Sequence, residues 1–243
     1  MIEVKNLDFN YGNKMVYKDI NLTWQPCHIA ALLGANSSGK TTLLRLLAGL
    51  LPPSNGIISI KGEKPFARRV SFLQNIFMVP ETFELPTVKT SLLAKMYGSF
   101  YPQFSAAQYL QYLDEFKVPG ESNLKKLSFG QQKKAWLSFA LSCNTNLLLL
   151  DEPTIGLDIA SKATLRKQLS AQLNPDRFIL VSTHQVRDLE YLFDWVTIIE
   201  KGGIAWHDTT ENLSLYGQTE SMEESYLRIL KNQKNITNSK SST

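Results

Sequence analysis

The chain has 243 residues, of which 43% are apolar, and this is enough to form a folded core. Residues 1–224 hold 22 basic and 22 acidic residues, because the net charge of +4 comes entirely from four basic residues within 225–243. This neutrality argues against a protein that binds the phosphate backbone of nucleic acids. No apolar run approaches the roughly 18 to 20 residues of a membrane span, and the N-terminus lacks a secretory signal. The sequence therefore predicts a cytoplasmic chain.

Eight short apolar segments predict β-strands. They lie at 2–9, 20–24, 29–33, 57–60, 76–79, 147–150, 178–181 and 196–200. Helical patterns alternate with the later segments, which predicts an α/β domain with a largely parallel sheet.

Only helical patterns occur between the strand that ends at Val79 and the strand that begins at Leu147. We expect a helical subdomain of about residues 82–145, inserted into the sheet domain. One of its helices begins in "SAAQYLQYLDEF", where Ser105 and Gln108 have the spacing of a capping box.

The last part of the sheet domain contains a hairpin signal, because Gly202 and Gly203 separate two extended runs. We expect the domain to cover residues 1–216, followed by a C-terminal helix and a polar tail in 217–243.

The cysteines and two of the three histidines match no motif. Cys27 and Cys143 are isolated, without metal-ligand or C-x-x-C spacing, and we expect buried, unreactive thiols. His28 and His207 are expected to be structural or solvated.

The segment "GANSSGKT", Gly34 to Thr41, fits the pattern G-x-x-x-x-G-K-[ST] between an apolar strand and an apolar helix. Gly34 and Gly39 would let the backbone wrap around phosphate oxygens, which also meet the positive N-terminus of the helix. Lys40 would reach the β- and γ-phosphates, and the Thr41 hydroxyl would coordinate Mg²⁺. The alternative is a tight turn with an exposed lysine. Further donors beside the phosphates are Asn36, Ser37 and Thr42.

A second acidic motif follows the buried strand predicted in "LLLLDEP". Asp151 stands where this strand ends and would hold Mg²⁺ through water. Glu152 would activate the attacking water as a general base. The alternative is a solvated turn with two adjacent acids. With the P-loop, this motif predicts a site that hydrolyses a nucleoside triphosphate.

The segment "LSFGQQKK", Leu127 to Lys134, stands shortly before "LLLLDEP", as the LSGGQ signature does in ABC transporters. Over residues 1–216 the sequence resembles the ATP-binding subunits of that family. The resemblance implies a P-loop NTPase core with an N-terminal antiparallel β-subdomain and an inserted helical subdomain. It also implies a head-to-tail dimer around two Mg-ATP, in which Ser128, Gly130 and Gln131 contact the ATP of the partner subunit.

Three further residues match motifs of the family in the same order along the chain. The resemblance implies that Tyr11 stacks on adenine, although a tyrosine at a strand end is an ordinary feature. It implies that Asp158, in "TIGLD", communicates between subunits. His184, in "STH", would reach the γ-phosphate as the switch histidine.

The chain departs from the family pattern at two places. Phe129 replaces the usual glycine of the signature, and we expect altered packing with nucleotide contact retained. The family's loop glutamine, which senses the γ-phosphate and Mg²⁺, has two possible counterparts. Alignment of "IFMVPE" with the family's strand end favours Glu81, whose carboxylate can also ligate Mg²⁺, and a shifted alignment favours Gln74.

The resemblance further implies a separate membrane permease, a cytoplasmic position at the membrane surface, and pairing with an identical or a different ATP-binding subunit. The signature, "FYPQF" and "STHQVRDLE" are most similar to bacterial ABC-2-type exporter ATPases. Aromatic residues after Glu81 either receive the permease or pack the helical subdomain; they are Phe83, Tyr97, Phe100, Tyr101 and Phe104. The alternatives to transport are a soluble ABC ATPase and a GTPase or kinase, in which the signature and His184 would have no role.

Overall fold

The structure is a computed structural model that describes residues 1–25, 29–219 and 221–240, with side chains described to residue 232. Cys27 and His28 lie outside these residues. The chain forms two compact units, the first made of residues 1–67 and 181–243 and the second of residues 68–180. The helical subdomain predicted at about 82–145 falls within the sequence of the second unit, and its bounds stay a prediction.

Nine strands and eight α-helices are assigned among the described residues. In chain order they are β1 (Ile2–Tyr11), β2 (Lys14–Trp24), β3 (Ile29–Leu33), α1 (Lys40–Leu47), β4 (Asn55–Ile60), α2 (Val70–Leu73), β5 (Ile76–Val79), α3 (Thr90–Tyr97), α4 (Ala106–Glu115), α5 (Phe129–Ser142), β6 (Leu147–Asp151), α6 (Ile159–Ser170), β7 (Phe178–Thr183), β8 (Trp195–Glu200), β9 (Gly203–Thr209), α7 (Thr210–Gly217) and α8 (Met222–Lys240).

The first unit contains an antiparallel sheet in the order β2-β1-β4, which the family resemblance implies. Strand β2 begins at Lys14, six residues before the predicted start at Ile20. The alternation of apolar and polar residues that predicts a strand is interrupted in the first half of β2 by exposed polar residues. Asp19, with φ 50°, departs from extended backbone at the same place.

The first unit also contains strands β3, β8 and β9. Strand β3 is buried along its whole length and pairs with β8 in parallel. Strand β8 pairs with β9 in an antiparallel hairpin, as Gly202 and Gly203 predict. Lys201 and Gly202 have φ of 49° and 75° at its turn, and this conformation suits the right-handed twist of the two strands.

In the second unit, strands β5 and β6 pair in parallel, with Ile76 opposite Leu147 and Val79 opposite Leu150. Between these strands the α-helices are α3, α4 and α5, as the sequence predicts. Ser105 caps α4 by accepting a hydrogen bond from the Gln108 amide at 3.3 Å.

Helix α4 buries Leu113 together with two tyrosines and leaves its other leucine exposed. Leu110 is 58% exposed, whereas Tyr109 is fully buried and Tyr112 nearly so. The Tyr109 hydroxyl donates to the Thr90 carbonyl at 3.2 Å, and the Tyr112 hydroxyl accepts from Gln172 at 2.5 Å. Tyrosine can therefore occupy this core because each hydroxyl has a hydrogen-bond partner.

The aromatic residues after Glu81 divide between the core and the surface. Tyr101 and Phe104 pack against the buried ring of Phe139, with centroid distances of 6.4 and 5.3 Å. Phe100 is 62% exposed. Tyr101 and Phe104 therefore pack the helical part of the unit, and docking of a permease at the exposed part of this segment stays a prediction.

Candidate functional site

The P-loop joins β3 to α1 in the first unit. The Lys40 ammonium folds back and donates to the Gly34 carbonyl at 2.8 Å and the Ala35 carbonyl at 3.2 Å. Ser37 and Gly39 have positive φ, 64° and 116°, and Gly39 precedes α1 without a side-chain cap. The loop thus leads into the N-terminus of a helix, a position that favours anions, and phosphate binding there stays a prediction.

The predicted donors of the loop differ in exposure. Asn36 and Ser37 are exposed, Thr41 is partly buried and Thr42 is buried. Gly34 is buried, and a Cβ there would lie 2.5 Å from both the Ile199 carbonyl and the Ser38 hydroxyl. The first glycine of the motif is thus required by packing.

Tyr11 lies beside the P-loop helix, as its predicted role requires. Its ring packs edge-on against Phe9 at 4.9 Å, and its hydroxyl accepts from Thr42 at 3.5 Å. The side chain is 43% exposed. Stacking on adenine stays a prediction.

Tyr17 contacts the P-loop from β2 and was not found by sequence reasoning. It is fully buried, and its hydroxyl donates to the Gly39 carbonyl at 2.7 Å. Burial raises the pKa of Tyr17, so the hydroxyl keeps its proton and remains a donor. A Cβ at Gly39 would lie 2.5 Å from this hydroxyl, so the contact also needs glycine.

Asp151 and Glu152 stand at the end of β6 in the second unit and are 1% and 4% exposed. Asp151 is the last residue of the strand. Glu152 has a left-handed backbone with φ 45°, which is unfavourable for a residue with a side chain. Burial and the backbone geometry contradict a solvated turn.

Lys133, in α5, approaches these acids. It is completely buried, and its ammonium donates to the Glu152 carbonyl at 2.7 Å. Burial lowers the pKa of Lys133 to about 8, although the charges of Glu81, Asp151 and Glu152 act to raise it. The two adjacent lysines of "QQKK" give no indication in the sequence that one of them is buried.

Glu81 and Gln74 lie at opposite ends of β5. Because β5 and β6 are parallel and Val79 faces Leu150, Glu81 and Asp151 follow the carboxyl ends of two neighbouring strands. Gln74 is the C-cap of α2, before the amino end of β5. The strand pairing therefore favours Glu81 as the residue beside Asp151, and its role as a metal ligand stays a prediction.

The signature forms the start of α5. Ser128 is the N-cap and accepts from the Gln131 amide at 3.3 Å, while the Gln131 side chain accepts from the Ser128 amide at 3.1 Å. Ser128 is exposed, and Gly130 and Gln131 are partly exposed. This capping box fixes the helix start and leaves it facing solvent.

Phe129 is 49% exposed and stacks on Phe83, with ring centroids 5.9 Å apart. It also covers Gly156, where a Cβ would lie 3.0 Å from the phenyl ring. The Phe129 ring therefore packs on the loop around Gly156, and the retention of nucleotide contact by this signature stays a prediction.

Asp158 is the N-cap of α6 and accepts from the Ser161 amide at 2.8 Å. It also forms an ion pair with Lys134 at 3.1 Å. The Ser161 amide, followed by the Ser161 hydroxyl and Lys134, lowers the pKa of Asp158 to about 2. Asp158 thus stays charged at neutral pH and joins α6 to α5.

These arrangements agree with comparisons to known proteins. The sequence model described as "ABC transporter" matches residues 17–155. The Nod factor export ATP-binding protein I of Burkholderia lata is 32% identical over 209 residues, which are 83% of this chain and 68% of that protein.

The chain belongs to the ABC transporter family.

Two solved structures share the fold of this ABC transporter chain. The ATP-binding subunit of an ABC transporter is 25% identical with a TM-score of 0.83, covering 95% of this chain and 99% of that one. A dimeric ATP-binding cassette with ADP and Pi bound has a TM-score of 0.74 at 19% identity, covering 86% of this chain and 98% of that one. The predicted P-loop NTPase fold is confirmed. The chain is an ATP-binding, ATP-hydrolysing subunit of an ABC transporter.

The predictions for His207 and Cys143 can be compared with their burial and their contacts. His207 is partly buried, and its ring nitrogens lie 2.9 Å from the Thr197 hydroxyl and 2.9 Å from the Thr23 carbonyl, so it is structural. Cys143 is a buried free thiol. His184 is exposed directly after β7, and its contact with a γ-phosphate stays a prediction.

Within the described residues, no three His, Cys, Asp or Glu side chains gather as a metal site. Mg²⁺ is usually bound by one or two carboxylates together with water and substrate phosphates, and a P-loop hydroxyl joins them. Asp151 has a carboxylate and Thr41 has a hydroxyl, and the role of each as a ligand of Mg²⁺ stays a prediction.

Across residues 1–25, 29–219 and 221–240, none of the helices combines the length and the apolar character that crossing a membrane requires.

Proposed function

We propose that this subunit dimerises head to tail around two Mg-ATP and drives a separate permease. The observation that carries the proposal is the exposed start of α5. Ser128 is the N-cap of α5, and its capping box with Gln131 fixes the start of the helix. Ser128 nevertheless faces solvent, where the helix N-terminus could meet an anion. A partner subunit that presents a bound nucleotide would cover this surface, whether the partner is identical or different.

The residues of one subunit divide the work at the nucleotide. Lys40 exchanges its bonds to the Gly34 and Ala35 carbonyls for phosphate oxygens, and the amides of the loop hold the phosphates. Tyr11 covers the adenine, and His184 contacts the γ-phosphate. Thr41, Asp151 and Glu81 would hold Mg²⁺, which neutralises the phosphate charge when bound.

Glu152 takes the proton of the attacking water. A carboxylate can do so because it accepts a hydrogen bond from water and gains a proton as the O–P bond forms. Loss of the γ-phosphate removes the charge that the signature of the partner binds, so hydrolysis would open the dimer. Asp158, at the start of α6, would report this change to the other subunit.

We further propose that the work is export and that the subunit binds the cytoplasmic side of a membrane through its permease. The support is the 32% identity to a relative named for export and the exposed Phe100. No nucleic-acid partner is proposed, because residues 1–224 carry no net charge.

Light scattering of the Glu152→Gln variant with ATP tests the dimer. We expect a stable dimer, because the variant binds ATP and fails to activate water, while the wild type returns to monomers. Glu152→Gln combined with Ser128→Arg is the matched control, and it should bind ATP as a monomer. A Glu152→Gln protein with the normal hydrolysis rate would refute the role of Glu152.

Affinity purification of tagged Glu152→Gln from native membranes in ATP tests the permease. Recovery of a polytopic membrane protein, absent when the untagged protein is used, is the expected result. Recovery of soluble partners alone, with the protein missing from the membrane fraction, would favour the soluble ATPase.

A further inference from the structure

Lys133 is a buried cation in the first turns of α5. None of the roles proposed above for binding or hydrolysing ATP involves its side chain. Its side chain is completely buried. A buried ammonium destabilises a protein unless it is hydrogen-bonded and near opposite charge. The bond to the Glu152 carbonyl at 2.7 Å and the nearby charges of Glu81 and Asp151 meet these conditions.

The group that Lys133 contacts belongs to an unfavourable stretch of backbone. Glu152 has φ 45°, and it precedes Pro153, whose ring restricts the conformation of the residue before it. A left-handed backbone at a residue with a side chain is strained and persists only when its surroundings enforce it. The Glu152 carbonyl accepts from Lys133 and, at 3.3 Å, from the Ile155 amide.

The direction of the Glu152 side chain depends on this backbone. The Cα–Cβ bond is fixed by φ and ψ, so relaxation of Glu152 to negative φ would turn its carboxylate away from its present direction. The Ile155 bond is local, since it closes only a turn of the same loop. Lys133 connects the Glu152 carbonyl to α5, whose N-cap is Ser128.

We propose that Lys133 is a positioning residue that holds Glu152 in the left-handed conformation needed to activate water, and that anchors it to the signature helix. The inference rests on the proposed function, in which Glu152 is the general base. Lys133 contacts no substrate and acts through the carbonyl of Glu152. Its effect is therefore on the rate of hydrolysis and leaves ATP binding intact.

The test is steady-state ATP hydrolysis by Lys133→Met, which keeps the length of the side chain and removes the donor. We expect kcat to fall by about 10- to 100-fold, because displacement of a catalytic group by about 1 Å has effects of this size. KM and the affinity for ATP should stay within about twofold, since the P-loop is untouched. The control is Lys167→Met on α6, an exposed lysine paired with Glu115, which should have wild-type kinetics.

A second variant covers the case in which methionine prevents folding. Lys133→Gln keeps a polar side chain but is one bond too short to reach the Glu152 carbonyl, so it should also lower kcat at unchanged KM. Wild-type kcat in either folded variant would overturn the inference.

Combination with Glu152→Gln separates positioning from general damage. If Lys133 acts through Glu152, Lys133→Met should not lower the residual rate of Glu152→Gln further. An equal fold-loss in both backgrounds would show that Lys133 acts elsewhere and would overturn the inference. Full activity of Glu152→Gln itself would instead refute the proposed general base.

Discussion

At the scale of single residues, buried side chains hold the carbonyls of two residues that have positive φ, one in the P-loop and one after β6. Gly39 in the P-loop has φ 116°, and Glu152 has φ 45°. Each of their carbonyls accepts a hydrogen bond from a fully buried side chain, Tyr17 for Gly39 and Lys133 for Glu152. Strained backbone is common at functional sites, where the surroundings must enforce it. Here the buried donors help to enforce it.

Tyr17→Phe removes only the hydroxyl that holds the Gly39 carbonyl. The carbonyl keeps its bond from the Leu43 amide at 3.0 Å, so the loop should remain formed and become less rigid. Loss of a buried hydrogen bond costs about 1 kcal/mol. If this cost destabilises the ATP-bound loop relative to the free loop, ATP binding becomes about fivefold weaker. Isothermal titration of the purified variant measures this affinity. Tyr191→Phe, at an 89% exposed position, should bind as the wild type does.

Lys40→Ala should abolish ATP binding. The ammonium is buried and within hydrogen-bond distance of the loop carbonyls, so its charge lies where the β- and γ-phosphates are expected. Equilibrium binding of a fluorescent ATP analogue checks this. Lys5→Ala, at an exposed lysine of β1, is the control, and unchanged affinity in Lys40→Ala would contradict the P-loop assignment.

At the scale of secondary-structure elements, the starts of α5 and α6 are fixed by side-chain caps and joined to each other. Ser128 and Gln131 cap α5, Asp158 caps α6, and Lys134 of α5 pairs with Asp158. The helix that bears the signature is thus connected to the helix that follows the Asp151–Glu152 motif. A displacement of either helix start would affect the other.

Asp158→Ala should lower the melting temperature at pH 7 by about 2–4 °C, the size expected for loss of one cap in a chain of this length. Asp158→Asn should lower it less, because asparagine also caps helices. The pKa of Asp158 is lowered from 3.8 to about 2 in the folded state, so its charge stabilises the fold above about pH 4. The difference from Asp158→Ala should shrink as the pH falls from about 4 to about 2. A difference that is constant with pH would show that the charge does not contribute.

At the scale of the whole molecule, a head-to-tail dimer would place the P-loop of one subunit against the signature of the other. A single subunit would then not hydrolyse ATP by itself, so ATPase activity would depend on the pairing of two subunits. This dependence distinguishes the dimer from a subunit with a complete site of its own.

Mixing two inactive variants should restore hydrolysis. Lys40→Ala keeps a normal signature, and Ser128→Arg keeps a normal P-loop, so a mixed dimer has one complete site. We expect each variant to be inactive alone and the mixture to recover up to about one quarter of the wild-type rate, because random pairing forms mixed dimers half of the time and each has one site of two. A mixture of Lys40→Ala with the double variant Lys40→Ala/Ser128→Arg should stay inactive, because neither subunit then has a working P-loop. Absence of recovery from folded proteins would contradict the head-to-tail arrangement.

Some features follow from the sequence because they depend on neighbouring residues. The P-loop pattern, the buried strand before Asp151, the hairpin at Gly202 and Gly203, and the cap at Ser105 each lie within a few residues. Glycine spacing, apolar runs and capping residues act on the local backbone, so their effect can be predicted from the order of the residues alone. The signature and its order relative to these motifs were sufficient for the family.

Other features depend on contacts between distant parts of the chain, which periodicity does not contain. Tyr17 reaches Gly39 across 22 positions, and Lys133 reaches Glu152 across 19. The pairing of β5 with β6 determines that Glu81, and not Gln74, follows the strand end beside Asp151. The burial of tyrosines in place of Leu110 likewise depends on partners elsewhere in the fold.

The sequence by itself thus determined the chemistry and the family, because the phosphate loop, the acids and the signature are local patterns. Only the tertiary structure decided which side chains hold these groups in place. A lysine that looks solvated in a basic run is buried against Glu152, since burial is set by the packing of elements that are separated in the chain.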